Sequence, residues 1–345
     1  MAEADGGCRA TPGNATPGNA TPSNAPPSNA KPTYGFSLRT QDVEALGTRF
    51  KVVFADEGCS TDPVVVCIHG APATHKAFRH IVEGIMTRGY RVIIPNLPGM
   101  GLTSLDPDGI YNHTTEHKAA IIRELLSAIG VQSVTMVIGH SMGGHVTCQL
   151  AADPALEGRV RALCLLSSAG SRPHRLFSPY WLYYILGQLV YYTVKLPVIG
   201  WAVKHIVSRA IIAAGLRGLT RDSEVFSWYE GSQLHFSEFV ANVERLADLD
   251  LPTLCIFSGN DRFIERPVLE DSAQRLGVTA EDWVRYDEAG ATMETFRDDA
   301  RKRVVEFANG THMVHYRFPR QILDEMEAFL KAATSEPRAA IGPRS

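Results

Sequence analysis

The chain has 345 residues, of which 45% are hydrophobic and 21% are charged, and these proportions are typical of a globular protein with a large core. Its formal net charge of −3 and its pI near 6.5 give no electrostatic basis for binding nucleic acid. The first residues lack the basic and apolar regions of a secretory signal peptide. We therefore expect one domain with an insertion, or two domains, and no nucleic-acid partner.

The two ends of the chain differ in composition from the rest. Residues 10–29 repeat a pentapeptide close to Ala-Thr-Pro-Gly-Asn. Such a sequence has too few apolar side chains to form a core. We expect residues 1–35 to be a disordered tail and residues 336–345 to be a flexible C-terminus.

Between these ends, apolar runs alternate with segments of helical spacing. Strands are predicted at 50–55, 64–68, 90–94, 134–138, 161–166, 253–257 and 303–307, and helices at 75–88, 115–129, 144–152 and 319–332. This alternation predicts an α/β fold with a doubly wound, mostly parallel sheet and helices on both faces. In such sheets, the ligand crevice lies at the carboxyl ends of the strands.

Two stretches interrupt the alternation. Residues 171–245 contain no convincing strand and are rich in aromatic side chains, and their length is that of a helical cap inserted into the core. The core would then comprise residues 36–170 and 246–335. Residues 278–302 are charged and irregular, and we expect them to form an excursion on the surface.

The six cysteines do not suggest a disulfide framework. Cys67, Cys164 and Cys255 lie in apolar runs that are predicted strands, and Cys148 lies in a predicted helix. Buried thiols behave as small hydrophobic groups, so a reducing compartment is the simpler inference. No Cys or His cluster has the spacing of metal ligands. We therefore expect a cytoplasmic protein without a bound metal.

The most informative motif is Gly-His-Ser-Met-Gly, centred on Ser141. It lies between a predicted strand and a predicted helix, which is the setting of a nucleophile elbow. In that turn, the serine adopts a strained backbone conformation with positive φ, which exposes its hydroxyl. The chain around it passes so close that side chains at Gly139 and Gly143 would collide with their neighbours. Ser141 is therefore a candidate nucleophile.

A serine nucleophile needs a base, and the base needs an acid that fixes its tautomer. Asp261 and His312 each follow a predicted strand, and both lie downstream of Ser141 in the order Ser, Asp, His. Two alternatives remain at this point. Glu265 is a second candidate acid, with Asp261 as a helix cap, and His315 is a second candidate base.

Several motifs together resemble those of the α/β-hydrolase superfamily, over about residues 50–170 and 250–333. Residues 69–72, His-Gly-Ala-Pro, follow a strand where the family has its oxyanion loop. Residues 96–103 are similar to the family's Asp-x-x-Gly-x-Gly-x-Ser loop, with Asn96 and Thr103 replacing its aspartate and serine. His312 is separated from Gly310 by one more residue than in the common Gly-His pair. These departures suggest a divergent branch of the family, close to serine esterases and lipases with a helical cap.

The resemblance implies a mechanism. His312 would deprotonate Ser141, which would attack a carbonyl carbon, and the backbone N–H groups of Ala71 and Met142 would stabilise the oxyanion. Asp261 would orient His312. No metal or organic cofactor is required.

Residues 180–194 form the most apolar segment of the chain. Lys195 and Pro197 interrupt it before it reaches the length of about 20 residues that a membrane span needs. We expect cap helices that shape an apolar pocket above Ser141. A peripheral contact of the cap with a membrane is the alternative, since tyrosine suits a boundary between water and an apolar phase.

These features predict a serine hydrolase that acts on a small lipophilic ester. Epoxide hydrolases and dehalogenases use a carboxylate nucleophile, and Ser141 occupies that position. An amidase, a thioesterase or a carbon–carbon bond hydrolase would retain the serine, and a non-catalytic small-molecule-binding protein on the same fold is a further alternative. Nothing in the sequence indicates an oligomeric state.

Overall fold

The computed structural model describes residues 34–105, 113–213, 215, 220–293 and 300–334. Within them, the strands form one sheet in the order β1-β2-β4-β3-β5-β6-β7-β9-β8. Their bounds are β1 Leu38–Ala45, β2 Thr48–Glu57, β3 Val64–Ile68, β4 Arg91–Pro95, β5 Met136–His140, β6 Leu163–Leu166, β7 Thr253–Ser258, β8 Trp283–Tyr286 and β9 Lys302–Phe307. Strands β3 to β9 are parallel, whereas β2 pairs antiparallel with both β1 and β4.

Ten α-helices lie within the described residues. Their bounds are α1 Val82–Met86, α2 Thr115–Ala128, α3 Gly143–Ala151, α4 Tyr180–Thr193, α5 Pro197–Ala213, α6 Arg221–Ser232, α7 Phe236–Asp248, α8 Arg266–Arg275, α9 Val314–Arg317 and α10 Pro319–Thr334. This is the doubly wound, mostly parallel α/β architecture that the alternating pattern predicts.

Alternate residues of each strand point to opposite sides of the sheet, and helices cover both sides of its central strands. In β3, Val64, Val66 and Ile68 join one apolar cluster, together with residues of α2, α3, α7 and α8. Val65 and Cys67 join the second cluster, with residues of α1, α9 and α10. Continuous apolar strands such as β3 therefore reflect helices packed on both faces of the sheet.

Most of the predicted elements are confirmed within a few residues, and three differ. The antiparallel strand β1 has no counterpart among the predicted strands, because most of its residues are exposed and it lacks an apolar run. The predicted helix 75–88 is a 3₁₀ turn, His75–Phe78, followed by the short α1. The expectation that residues 278–302 form only a surface excursion is wrong, because β8 lies within them and pairs with β9.

Helices α4 to α7 lie between β6 and β7, as expected for a helical insertion. The predicted end of the insertion at residue 245 falls inside α7. This helix packs against α3, and its residues Phe239, Val243 and Leu246 are part of the core cluster. We therefore restrict the term cap to the three helices before it, α4, α5 and α6.

Four cysteines are free and buried, as expected for thiols that act as small hydrophobic groups: Cys67, Cys148, Cys164 and Cys255. Cys59 differs, because it is disulfide-bonded. A disulfide at Cys59 does not amount to a disulfide framework, but it removes the argument from the cysteines for a reducing compartment. Within the described ranges, no helix is both long and apolar enough to cross a membrane.

Candidate active site

Ser141 lies between β5 and α3 with a φ of +54°, in the left-handed region that a nucleophile elbow requires. The turn is tightly packed. A Cβ atom at Gly139 would come within 2.7 Å of the Gly144 Cα, and one at Gly143 within 2.7 Å of the His69 carbonyl oxygen. Both positions therefore require glycine, because a side chain would collide with these atoms, as predicted. The Ser141 carbonyl accepts a hydrogen bond from the Ala169 amide, which ties the elbow to the segment after β6.

His312 and Asp261 lie beside each other at the ends of the neighbouring strands β9 and β7. The His312 Nδ1 is 2.8 Å from the Asp261 Oδ2, and both side chains are buried. The other carboxylate oxygen of Asp261 accepts hydrogen bonds from the amides of Phe263 and Ile264. The carboxylate is therefore held by the turn after β7, and it fixes one nitrogen of the imidazole.

The loop that carries His312 is itself fixed by side chains at the end of β7. Thr311, the residue inserted relative to the common Gly-His pair, has a φ of +58°. Its amide donates to the Asn260 Oδ1, and the Gly310 amide donates to the Ser258 hydroxyl. The inserted residue is thus accommodated by a left-handed turn, and His312 still reaches Asp261.

The two alternatives from the sequence have other partners. The Glu265 Oε1 accepts a hydrogen bond from the Arg175 amide. The His315 Nε2 contacts the Ala77 carbonyl oxygen at 2.9 Å, and burial lowers the pKa of this histidine to about 3. In these positions, Glu265 does not hydrogen-bond to His312, and His315 does not hydrogen-bond to Asp261.

The loop after β3 passes directly over the elbow. A Cβ atom at Gly70 would lie 2.7 Å from the Ser141 Cβ. His69 holds the loop: its Nε2 accepts from the Leu97 amide, so its Nδ1 carries the proton and donates to the Gly70 carbonyl. Burial lowers the pKa of His69 to about 4, which keeps it neutral.

Asn96 replaces the aspartate that the resemblance expects, and it connects three segments. Its Oδ1 accepts from the His75 amide, and its Nδ2 donates to the Val53 carbonyl on β2. The Thr103 hydroxyl accepts from the Val53 amide at the far end of the same loop. An amide and a hydroxyl therefore maintain the shape of this loop without a charge.

Ser141 and His312 both line a cavity of about 260 Å³ between the sheet and the cap. Ala71 and Met142, the expected oxyanion donors, line the same cavity. Most of its wall is apolar and includes side chains from all three cap helices: Tyr183 of α4, Ala210 and Ile211 of α5, and Ser227 and Trp228 of α6. The predicted pocket formed by the cap above Ser141 is present.

A second, larger cavity of about 500 Å³ also includes Ser141 and His312 in its wall. Its lining is more polar and contains Lys76, Arg79 and Tyr316. Ser141 thus borders two spaces of different character. In the described part of the chain, no three His, Cys, Asp or Glu side chains are grouped so that they could hold a metal ion.

Two further features of this region have no signal in the sequence. The His140 ring lies between those of His312 and His315, tilted to the first and edge-on to the second, with ring centroids 4.9 and 5.0 Å away. Its Nε2 lies 3.2 Å from the His312 carbonyl oxygen. His174 lies in the apolar cavity, and burial lowers its pKa to about 4.

The cap is joined to the core by a buried ionic cluster. Glu230 of α6 forms an ion pair with Lys118 of α2, and its Oε1 lies 2.6 Å from the His113 Nδ1. Burial alone would raise the pKa of Glu230, but Lys118 and His113 outweigh this effect and lower it below its usual value. Glu230 is more than 110 positions from the other two residues in the sequence, so only the folded chain reveals the cluster.

Comparison with known proteins agrees with this geometry. A sequence family described as alpha/beta hydrolase fold matches residues 63–192. The cis-3-alkyl-4-alkyloxetan-2-one decarboxylase of Xanthomonas campestris pv. campestris is 31% identical over 118 residues, which are 33% of this chain and 38% of that protein. Lipase 3 of a Moraxella species is 32% identical over 120 residues, 35% of this chain and 36% of that protein.

The matched region spans less than two fifths of the length of these two relatives. The likeness in three dimensions is more extensive. A thermophilic esterase from Thermogutta terrifontis superposes with a TM-score of 0.62 at 17% identity, covering 86% of this chain and all of that one. The sequence match over residues 63–192, the sheet order and this superposition lead to one conclusion: the chain has the α/β-hydrolase fold.

Proposed function

We propose that this protein is a serine hydrolase that cleaves a lipophilic carboxylic ester through an acyl-enzyme intermediate. The observation that carries the proposal is the arrangement at one cavity wall. A serine with positive φ and a histidine bonded to a buried carboxylate border the same apolar space. These are the parts that nucleophilic acyl transfer requires.

In the proposed mechanism, His312 removes the proton of the Ser141 hydroxyl while the oxygen attacks the ester carbonyl. The hydrogen bond between Asp261 and the His312 Nδ1 keeps the lone pair of Nε2 available and stabilises the imidazolium that forms. His312 then protonates the leaving alcohol. Water repeats the sequence and releases the acid.

The negative charge that develops on the carbonyl oxygen requires hydrogen-bond donors. Met142 is the N-cap residue of α3, and amides at a helix N-terminus have no acceptor within the helix. Ala71 lies in the loop after β3, which His69 fixes. We assign the two backbone N–H groups to an oxyanion hole, in which one donor typically contributes about 3 kcal/mol to transition-state stabilisation.

The lipophilic character of the substrate is inferred from the cavity. Phe177, Ile211, Trp228 and Leu234 contribute to its wall, and a volume of about 260 Å³ accommodates a small apolar acyl group. Because burying apolar surface is favourable at about 25 cal/mol per Å², such a group would bind here more tightly than a polar one.

Labelling with a fluorophosphonate probe tests the nucleophile. The wild type should be labelled, and Ser141→Ala should not. Ser127→Ala, at an exposed position of α2, is the matched control and should be labelled like the wild type. Equal labelling of the wild type and Ser141→Ala, with both proteins folded by circular dichroism, would contradict the proposal.

Substrate panels then test the ester and the pocket. Hydrolysis rates of p-nitrophenyl esters should rise with acyl length until the cavity is filled and then fall. Matched amides and thioesters distinguish the ester hydrolase from an amidase or a thioesterase. A rate independent of acyl length would argue against the lipophilic pocket.

A further inference from the structure

The exposed apolar surface of this protein is concentrated on the cap. Of the 18 large hydrophobic side chains that are exposed in the described part of the chain, 13 lie between residues 181 and 212, on α4, α5 and their connection. Val198 is 82% exposed, Trp201 66% and Trp181 65%. Exposed apolar side chains concentrated in this way usually mark an interaction site rather than ordinary surface.

The same two helices are apolar on the side that faces the protein. Tyr183 of α4 and Ile211 of α5 line the cavity beside Ser141. A helix that is apolar on all sides is normally buried on all sides. Within the described residues, nothing covers the outward side of α4 and α5, which we call the cap face.

The residues of α4, α5 and their flanking segments carry only basic charges, of which Lys204 pairs with Asp222 of α6. Residues 172–221 contain seven Lys or Arg and no Asp or Glu, although the whole chain has a net charge of −3. Lys195, between the two helices, is exposed, and its ammonium group lies 4.0 Å from the centre of the Tyr191 ring. Basic side chains around exposed tryptophan and tyrosine are characteristic of segments that lie in the interface of an anionic bilayer.

The lengths of the helices fit this geometry. Helix α4 has 14 residues and α5 has 17, so they extend about 20 to 25 Å. They are joined by a short connection that contains Lys195 and Leu196. Two short helices of this kind can lie along a surface, with their apolar side chains inserted below the headgroups.

We propose that the cap face docks on the surface of an anionic phospholipid bilayer. A second copy of the chain is the competing occupant, but a symmetric contact would bring the basic residues of both copies together. An anionic lipid surface instead provides charges of the opposite sign for the same residues. Docking places the helices that line the cavity at the lipid surface, and the entry of a lipophilic ester by this route rests on the proposed function.

Sedimentation with vesicles tests the proposal. The wild type should bind vesicles of phosphatidylcholine mixed with phosphatidylserine and should bind phosphatidylcholine vesicles several-fold more weakly. Raising the salt concentration should weaken the binding, because ions screen the attraction between the basic residues and the lipid. Absence of binding to the anionic vesicles would overturn the proposal.

Two variants with equal exposure separate the cap face from apolar surface in general. Ile199 on α5 and Leu46 in the turn between β1 and β2 are both 54% exposed. Ile199→Asp should reduce vesicle binding several-fold, whereas Leu46→Asp should bind like the wild type. Equal binding of both variants would overturn the proposal, as would a wild-type dimer in solution that Ile199→Asp converts to a monomer. A melting curve for each variant establishes that it is folded.

The proposal can be separated from the proposed function. Vesicle binding does not require turnover, so Ser141→Ala should bind vesicles like the wild type. A protein that binds vesicles but reacts with no fluorophosphonate would retain the docking surface and lose the hydrolase function. A protein that is labelled but binds no vesicles would retain the hydrolase function and lose the docking surface.

Discussion

The strand ends around Ser141 bury polar groups, whereas the cap above them exposes apolar groups. Around Ser141, polar side chains such as His69, Asn96 and Asp261 are buried and hydrogen-bonded to backbone groups. On the cap, apolar side chains such as Trp181 and Trp201 are exposed. Buried polar networks fix one geometry, because a displaced group would lose its partners. An apolar surface imposes no such geometry, so it can contact a fluid partner.

The two regions differ in how precisely their side chains must be positioned. The proposed proton transfer requires precise positions of the side chains, and hydrogen bonds from neighbouring strand ends provide them. Contact with the surroundings requires area rather than precision, and there the chain uses exposed helices. The ionic cluster of Glu230, Lys118 and His113 is where the two regions meet. Single substitutions and changes of pH can test each region and their junction.

The largest effect is expected at the buried carboxylate. Asp261→Asn should lower kcat by about 10⁴-fold, because an amide at this position favours the wrong tautomer of the histidine. The fold should be retained, because an asparagine oxygen can still accept from the Phe263 and Ile264 amides. Glu265→Gln is the control and should change kcat little. If kcat fell strongly in Glu265→Gln and not in Asp261→Asn, the roles of the two acids would have to be exchanged.

The junction of the cap and the core should be the next most sensitive point. Glu230→Gln removes the negative charge that compensates Lys118 in a buried site, and breaking such a pair typically costs about 3 to 5 kcal/mol of unfolding free energy. Glu244→Gln breaks an exposed ion pair with Arg275 and should change the unfolding free energy little. Urea unfolding of both variants measures the difference. Similar values for the two would mean that the cluster does not stabilise the junction.

The buried histidines should make the folded state sensitive to acid. Burial lowers the pKa of His69 and of His145 to about 4, from an ordinary value of 6.5. Between these values, the unfolded chain takes up protons that the folded chain does not, so the unfolding free energy falls as the pH drops from 6.5 towards 4. Each of the two should contribute at most about 3 kcal/mol to this loss, which is absent above pH 6.5.

Urea midpoints measured across this pH range test the effect. His145→Gln should reduce the slope of unfolding free energy against pH, because one of the shifted groups is removed. His235→Gln, at a half-exposed histidine on the surface, should leave the slope unchanged. If both variants keep the wild-type slope, buried His145 is not a source of the acid sensitivity.

The sequence predicts the strand ends well, because their signals are local. Strand β3 is a continuous apolar run, and Ser141 lies in a motif whose glycines are required by contacts within and beside the turn. Asp261 and His312 could be placed because parallel strands end at the same edge of a sheet. Each of these inferences needs only the residues near the motif and a rule of sheet topology.

Other features depend on contacts that no local pattern encodes. Glu230 contacts residues more than 110 positions earlier in the chain, and His140 meets His312 only after the sheet has formed. Strands β1 and β8 lie near the ends of the sheet order and are only partly buried, so they lack a continuous apolar run. The apolar character of residues 180–194 was evident, but which side of α4 faces the cavity depends on its packing against α6.

The two cavities that meet at Ser141 have a consequence for how the protein could change. One is narrow and apolar, and its wall includes Trp228 and Ile211, whereas the other is wide and includes Lys76 and Arg79. In an ester, the acid and alcohol portions extend from the carbonyl carbon in different directions. If each portion occupies one cavity, selectivity for the acid and for the alcohol is set by separate residues. Substitutions could then alter one preference while the other is inherited intact.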